Sequence, residues 1–135
     1  MKPLRWLAFS LTFLLISCQP KTTSSITIID NGQIHIVNSA ERVPLILLTQ
    51  NGIPPLPNDR VLLNGISVPI DHALPATDFI QLQLRRAVTL SIVTPQALQT
   101  IQTSAFSVGQ ALIEAGFHIN AGDLLDPPAE TPITQ

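Results

Sequence analysis

Tyrosine is missing from this 135-residue chain, cysteine and tryptophan occur once each, and charged residues make up only 12% of it. With a single thiol, at Cys18, no disulfide can form within the chain, and no multi-thiolate metal site or dithiol redox pair is available. Past residue 18 only Phe79, Phe106 and Phe117 remain as aromatics, because Trp6, Phe9 and Phe13 all precede it. That scarcity counts against a glycan-binding face and against a platform for single-stranded nucleic acid, which relies on exposed flat rings. Positive charge is scarce as well. Lys21, Arg42, Arg60, Arg85 and Arg86 stand against nine acidic residues, a side-chain balance near −4 beyond residue 18. The chain therefore offers no electrostatic footprint for nucleic acid or for anionic wall polymers. Stability must come from packing, and about 100 residues suffice for one ordinary domain or two very small ones.

The N-terminus carries the clearest signal. Lys2 and Arg5 precede an apolar run from Trp6 to Ile16, closed by Leu15-Ile16-Ser17-Cys18. A run of about 11 apolar positions is too short for a helix across the bilayer core, which takes about 20 residues. Its layout is that of an export signal, with Ser17 as the small residue before the cut. The four closing residues resemble the lipobox of bacterial lipoproteins, in which the cysteine thiol receives a diacylglyceryl group and cleavage makes that cysteine the new N-terminus. The resemblance implies a signal peptide over residues 1–17, lipidation at Cys18, and a membrane partner reached through that lipid. Gln19 comes next, so aspartate does not occupy the position that retains many lipoproteins in the inner membrane of double-membraned bacteria. Residues 18–25 are polar after the cysteine and are expected to form a flexible tether.

Beyond the tether one plan occurs twice. Ile26 to Asp30, Asn31-Gly32, and Gln33 to Val37 predict a strand, a two-residue turn and a strand, because both residues of Asn-Gly tolerate positive φ. A short helix is expected over residues 43–51, with Pro44 in its first turn and Gly52 as its stop. The second copy is expected to run as a strand from Val88 to Val93, a turn over Thr94 to Ala97, and a strand from Leu98 to Thr103. Its helix has Ser107 and Gln110 at capping-box spacing, Val108, Ala111, Leu112 and Ala115 on one face, and Gly116 as the stop. In both copies seven positions separate the stop glycine from an aspartate, Gly52 to Asp59 and Gly116 to Asp123. The offset of about 62 to 65 residues marks an internal repeat, with too few copies for a solenoid.

The first copy ends in an alternating run, Phe79-Ile-Gln-Leu-Gln-Leu84, that suits a half-buried strand. Hairpin, helix, proline-rich loop and final strand predict an α+β fold of two tandem small β-grasp (ubiquitin-like) modules, over residues 26–86 and 87–135. In that arrangement the last strand lies parallel to the first at the sheet centre. Thr131 to Gln135 aligns with Leu74 to Asp78, just ahead of the closing strand, so the second module is expected to lack that strand. Its strand Val88 to Val93 would then keep an unpaired edge open to self-association.

Ser107 to Gly116, Asp123 seven residues later, and Arg85-Arg-Ala-Val-Thr-Leu90 resemble the ubiquitin-like domain of unknown function, family 348, found in tandem in resuscitation-promoting factors and related secreted cell-wall proteins. Residues 65–72 stand as an insertion relative to that pattern. In the family these modules precede a separate wall-hydrolysing domain, which residues 1–135 do not contain. The lipid anchor, which departs from the usual family pattern, is implied by the lipobox resemblance alone, whereas this resemblance implies an extracytoplasmic envelope protein with no catalytic residue of its own. It would act as a spacer or protein-binding module at the cell surface, with envelope proteins or the cell wall as partners and no cofactor. The competing expectation is an N-terminal fragment of a peptidoglycan hydrolase whose catalytic domain lies beyond residue 135.

No other residue cluster points to chemistry. Asp71-His72 is the one adjacent acid and histidine, but neighbours in an extended segment point to opposite sides, so one is not expected to orient the other. His35 and His118 have no second ligand at i+3 or i+4, and metal binding needs three or four that converge. Ser107 is expected to cap a helix. Glu114, Asp123 and Asp126 are expected as solvated acids, because the loop lacks the acidic ladder of a calcium site. Arg85-Arg86 is expected to have a structural role at the junction, facing opposite ways and able to hold acids such as Asp78. Pro54 to Pro57 and Asp126-Pro127-Pro128 are expected to stiffen loops.

Overall fold

A computed structural model describes residues 23–77 and 79–135. The signal segment, Cys18 and Asp78 lie outside the described residues. Strand β1 (Ser24–Asp30) and strand β2 (Gln33–Ser39) form an antiparallel hairpin, with Asn31 and Gly32 both at positive φ as the two-residue turn requires. β1 begins two residues earlier than Ile26, so Ser24 and Ser25, expected in the tether, belong to the sheet, while residues 18–22 of that expected tether lie outside the described residues. Ser24 and Ser25 pair with Ser39 and Asn38, and Arg42 Nη2 donates to Ser24 Oγ at 2.7 Å. Ladder bonds come from the backbone, and polar side chains do not prevent them.

Helix α1 (Pro44–Gln50) buries Pro44, Leu47 and Leu48. The chain just ahead of it is held by Glu41 Oε1, which accepts from the N–H groups of Arg42 and Val43, and within the first turn Leu45 N–H donates to Ile70 C=O. At its end Ile53 N–H donates to Leu48 C=O and Gly52 N–H to Thr49 C=O, with Gly52 at φ +74°. This left-handed cap satisfies the last carbonyls and turns buried Ile53 back under the helix.

Residues 65–72, expected as an insertion, instead supply half of a second hairpin. Strand β3 (Arg60–Leu63) and strand β4 (Ile66–Val68) are joined by Asn64-Gly65, again both at positive φ. The strands are three and four residues long, too short for alternation to reveal them, but their turn carries the same Asn-Gly signal as residues 31–32. Strand β5 (Ile80–Arg85) lies parallel to β1 and antiparallel to β3, which gives the sheet order β2-β1-β5-β3-β4. Ile80, Leu82 and Leu84 are at most 1% exposed and pack with Ile26, Ile28, Leu47 and Leu48 in the core.

The second half repeats the opening of the first. Strand β6 (Val88–Val93) and strand β7 (Leu98–Thr103) form a separate antiparallel pair, and helix α2 (Val108–Glu114) packs Ala111 with Ala105 and Ile133. Ser107 Oγ accepts from Gln110 N–H at 3.3 Å, as the capping spacing predicts. The reciprocal bond is shifted by one residue, because Gln110 Oε1 accepts from Phe106 N–H rather than from the cap itself. The end of α2 copies that of α1, with Phe117 N–H on Leu112 C=O and Gly116 N–H on Ile113 C=O.

The repeat also returns beneath each helix, in a register two residues from that of the sequence alignment. Leu74 N–H donates to Arg42 C=O, and Ile133 N–H donates to Phe106 C=O, so Ile133 stands where Leu74 does. Both side chains are buried, and the side chain that seats under the helix sets the register. Among the described residues the second half has no counterpart of β3, β4 or β5. The protein is thus mixed α+β, mostly sheet, and no helix of the described residues is long and apolar enough to cross a membrane.

Truncating Leu82 to Ala removes a fully buried side chain from the central strand and is expected to lower stability by about 2–5 kcal/mol. Ser107→Ala, which loses only a helix cap, is expected to lower it by about 1 kcal/mol. Urea denaturation of the two variants side by side checks the ranking.

Candidate functional site

Two residues, Arg86 and Ala87, separate β5 from β6, and Arg85, Arg86, Asp30 and Asp59 are bonded there. Successive strand residues point to opposite sides, so Arg85 and Arg86 diverge. Arg85 reaches into the second half. Its Nε donates to Ser104 C=O at 2.8 Å, and its Nη2 to the carbonyls of Ala105 and Ile133. Its guanidinium lies 4.8 Å from the centre of the Phe106 ring, with Arg60 5.6 Å from that centre. Burial, and then the nearby Arg60 charge, lower the Arg85 guanidinium from its ordinary value.

Arg86 turns back into the first half. Its Nε and Nη2 fork onto the two oxygens of Asp30 at 2.8 and 2.7 Å, while Nη1 donates to Asp59 Oδ2 at 2.9 Å and to Pro54 C=O at 3.0 Å. The Asp59 side chain is 2% exposed, so a guanidinium that forks to one carboxylate and bridges to another is the partner its burial demands. The hydrogen bond to Asp30 is the main cause that raises the Arg86 guanidinium above its ordinary value. A raised cation contributes its stability at every pH below that ordinary value and loses it only in stronger alkali.

Asp59 is also the end of a repeated turn. Its Oδ2 accepts from Leu56 N–H at 2.8 Å, and Asp123 Oδ2 accepts from Asn120 N–H at 2.7 Å, so the seven-residue spacing from glycine to aspartate has a structural cause in both halves. In the first half Asp59 Oδ1 additionally accepts from Ala87 N–H, which fixes the start of the second half. The outer side of the junction is closed by Arg60, whose Nη2 lies 2.7 and 2.9 Å from the two oxygens of Glu114. Glu114, expected as a solvated acid, is therefore tied to the other half and to Gln110. A cleft of about 590 Å³ lies between the halves, lined by residues that include Arg60, Val61, Ile70, Thr103 and Ala111.

Asp71 and His72 correct another expectation. Ile70 and Asp71 sit in a turn followed by a bend at His72, not in an extended segment. This lets His72 Nδ1 and Asp71 Oδ1 meet at 2.7 Å. That bond holds the Asp71 carboxyl below its usual value, and both side chains are about 70% exposed or more. Among the described residues no group of three or more histidine, cysteine or acidic side chains converges as a metal site would require. Asp126 and the flanking prolines lie on the surface of the segment after α2. Cys18 and Asp78 fall outside the described residues, and the acids that Arg86 holds are Asp30 and Asp59. Arg60, Asp30 and Asp59 escape a reading for catalytic motifs. Their signal was the low charge content, since a rare charge inside a small domain needs a partner.

A second concavity, of about 650 Å³, opens between β6 and the segment that follows α2. Leu90, Ile92, Val108, Leu112, Phe117 and Leu125 give it an apolar lining. A scan of protein-family models finds no match to the chain, and a search of curated proteins finds none either.

Arg86→Ala leaves buried Asp59 without its cation and is expected to destabilise the protein by about 2–3 kcal/mol, below the 3–5 typical of a fully buried pair because Arg86 keeps part of its surface in water. Arg86→Lys is expected to restore only a fraction, since ammonium cannot fork; chemical denaturation of the three proteins measures both. Separately, His72→Ala is expected to raise the Asp71 titration midpoint toward the ordinary carboxyl value, which carboxyl NMR shifts against pH report.

Proposed function

We propose that this chain is a non-catalytic, lipid-anchored envelope protein whose two tandem β-grasp (ubiquitin-like) units serve as a spacer or protein-binding module on the outer side of a membrane. Three lines support the parts of this reading. The sheet order β2-β1-β5-β3-β4, with β1 and β5 parallel at the centre under one helix, supports the β-grasp reading of the first unit. The duplicated helix cap and aspartate turn support a second, abbreviated unit of the same descent. The basic and then apolar run that ends at Cys18 supports the anchor.

The observation that carries the spacer role is the junction. Linkers between independently moving domains are polar and exposed, whereas here two consecutive arginines are consumed in opposite halves and Asp59 receives the amide that starts the second. A stiff joint holds the second unit at a set distance and angle from whatever anchors the first. That is what a display element needs and what an enzyme with a moving lid does not.

Mass spectrometry of the native protein is expected to show an N-terminal Cys18 carrying a diacylglyceryl group, and Cys18→Ala is expected to lose both radiolabelled palmitate and membrane fractionation. A native chain still starting at Met1 with a free thiol would refute the anchored reading.

A further inference from the structure

The two halves differ at one strand. In the first, the edge of β1 away from β2 is occupied by β5, with Ile26 beside Ile80, Ile28 beside Leu82 and Asp30 beside Leu84. In the second, β6 holds the place of β1, pairs with β7 alone, and among the described residues has no strand on its other edge. Val88, Leu90 and Ile92 alternate with more exposed Thr89, Ser91 and Val93, so the apolar side of β6 matches that of β1 but is only partly covered. The apolar concavity lies along this strand, where a counterpart of β5 would place its inward side chains. A backbone edge with free donors and acceptors beside an apolar groove is the arrangement that captures an added strand.

The first half also shows what should flank such a strand. β5 ends in Arg85-Arg86-Ala87, where Arg86 Nη1 and Ala87 N–H both reach Asp59. Asp123 is the counterpart of Asp59, holding the same turn at the rim of the groove, and among the described residues no arginine or lysine reaches it. Residues 88–135 contain Glu114, Asp123, Asp126 and Glu130 and no lysine or arginine at all. Charge therefore selects against a second copy of this half as the occupant and selects for a basic one.

We propose that the groove along β6 binds an extended segment of a separate partner polypeptide, laid parallel to β6, with apolar side chains at three alternate positions followed by a basic pair that engages Asp123. The edge amides and carbonyls of β6 supply affinity without regard to sequence, the groove selects alternate apolar residues, and Asp123 sets direction and register. The inference rests on the protein-binding part of the proposed function and makes no use of the lipid.

The test uses the full-length chain in detergent micelles and a synthetic peptide of the sequence of residues 79–87, Phe-Ile-Gln-Leu-Gln-Leu-Arg-Arg-Ala. Amide hydrogen exchange is read residue by residue. Saturating peptide is expected to slow the β6 amides that face away from β7 by roughly tenfold or more while leaving β1 amides unchanged, and the β1 amides report that the protein is folded. Exchanging both peptide arginines for glutamate, or Asp123→Asn in the protein, is expected to weaken binding by roughly tenfold. No slowing at saturation, equal binding of the glutamate peptide, or β6 amides already protected on both edges in the free chain would each overturn the proposal. Because the assay contains no lipid-dependent step, its outcome is independent of whether Cys18 is acylated.

Discussion

A single guanidinium organises this protein. Arg86 lies between Asp30, at the end of β1, and Asp59, at the end of the turn after α1, and the carbonyl of Pro54 completes its coordination. All three partners belong to the first half, while the next residue, Ala87, begins the second and gives its amide to the same Asp59. The interaction is strong because Asp59 is almost fully buried: a carboxylate withdrawn from water requires a cation and several N–H donors, and this one receives all of them. Its neighbour Arg85 does the reciprocal work by satisfying carbonyls at the entry to α2 and at Ile133. The direct passage from β5 to β6 thus follows from charge satisfaction at two adjacent residues.

The same turn is used twice with different results. After each helix a left-handed glycine reverses the chain, a residue just past it bonds back into the last turn, and an aspartate closes the loop seven positions on. In the first half this loop leads into β3, and the space between β3 and β1 is filled by β5, whose three inward side chains complete a core of ten buried residues. In the second half the segment after Asp123 returns directly beneath α2, and the buried cluster is limited to Ala105, Ala111 and Ile133. The second half consequently leans on the first, through Arg85, the Arg60 to Glu114 pair and Phe106 held against two guanidinium groups. So small a core has little independent stability.

Much of the local structure was legible in the residues. The hairpin at Asn31-Gly32, the strands β5, β6 and β7, both helices with their glycine stops, and the Ser107 cap follow from alternation, spacing and turn chemistry within a few positions. The parallel placement of β5 beside β1 followed from the order of elements. The hairpin at Asn64-Gly65 was hidden because its strands are too short to alternate, and its Asn-Gly turn straddles the start of the segment 65–72 that stands as an insertion in the family pattern. Ile133 rather than Thr131 is the counterpart of Leu74, because the register of the repeat is set by the side chain that plugs the space under each helix and not by residue identity. The bonded pair of Asp71 and His72 depended on a turn that no motif announced.

By itself the sequence determined β1, β2, β5, β6, β7 and both helices, their order and the repeat, because each of these depends on local patterns of residues close together in the chain. The tertiary structure alone decided which charges are partners. Arg86 and Asp30 are 56 positions apart, Arg60 and Glu114 54, and pairings at such range depend on how the sheet and the two helices bring distant carboxylates to one junction.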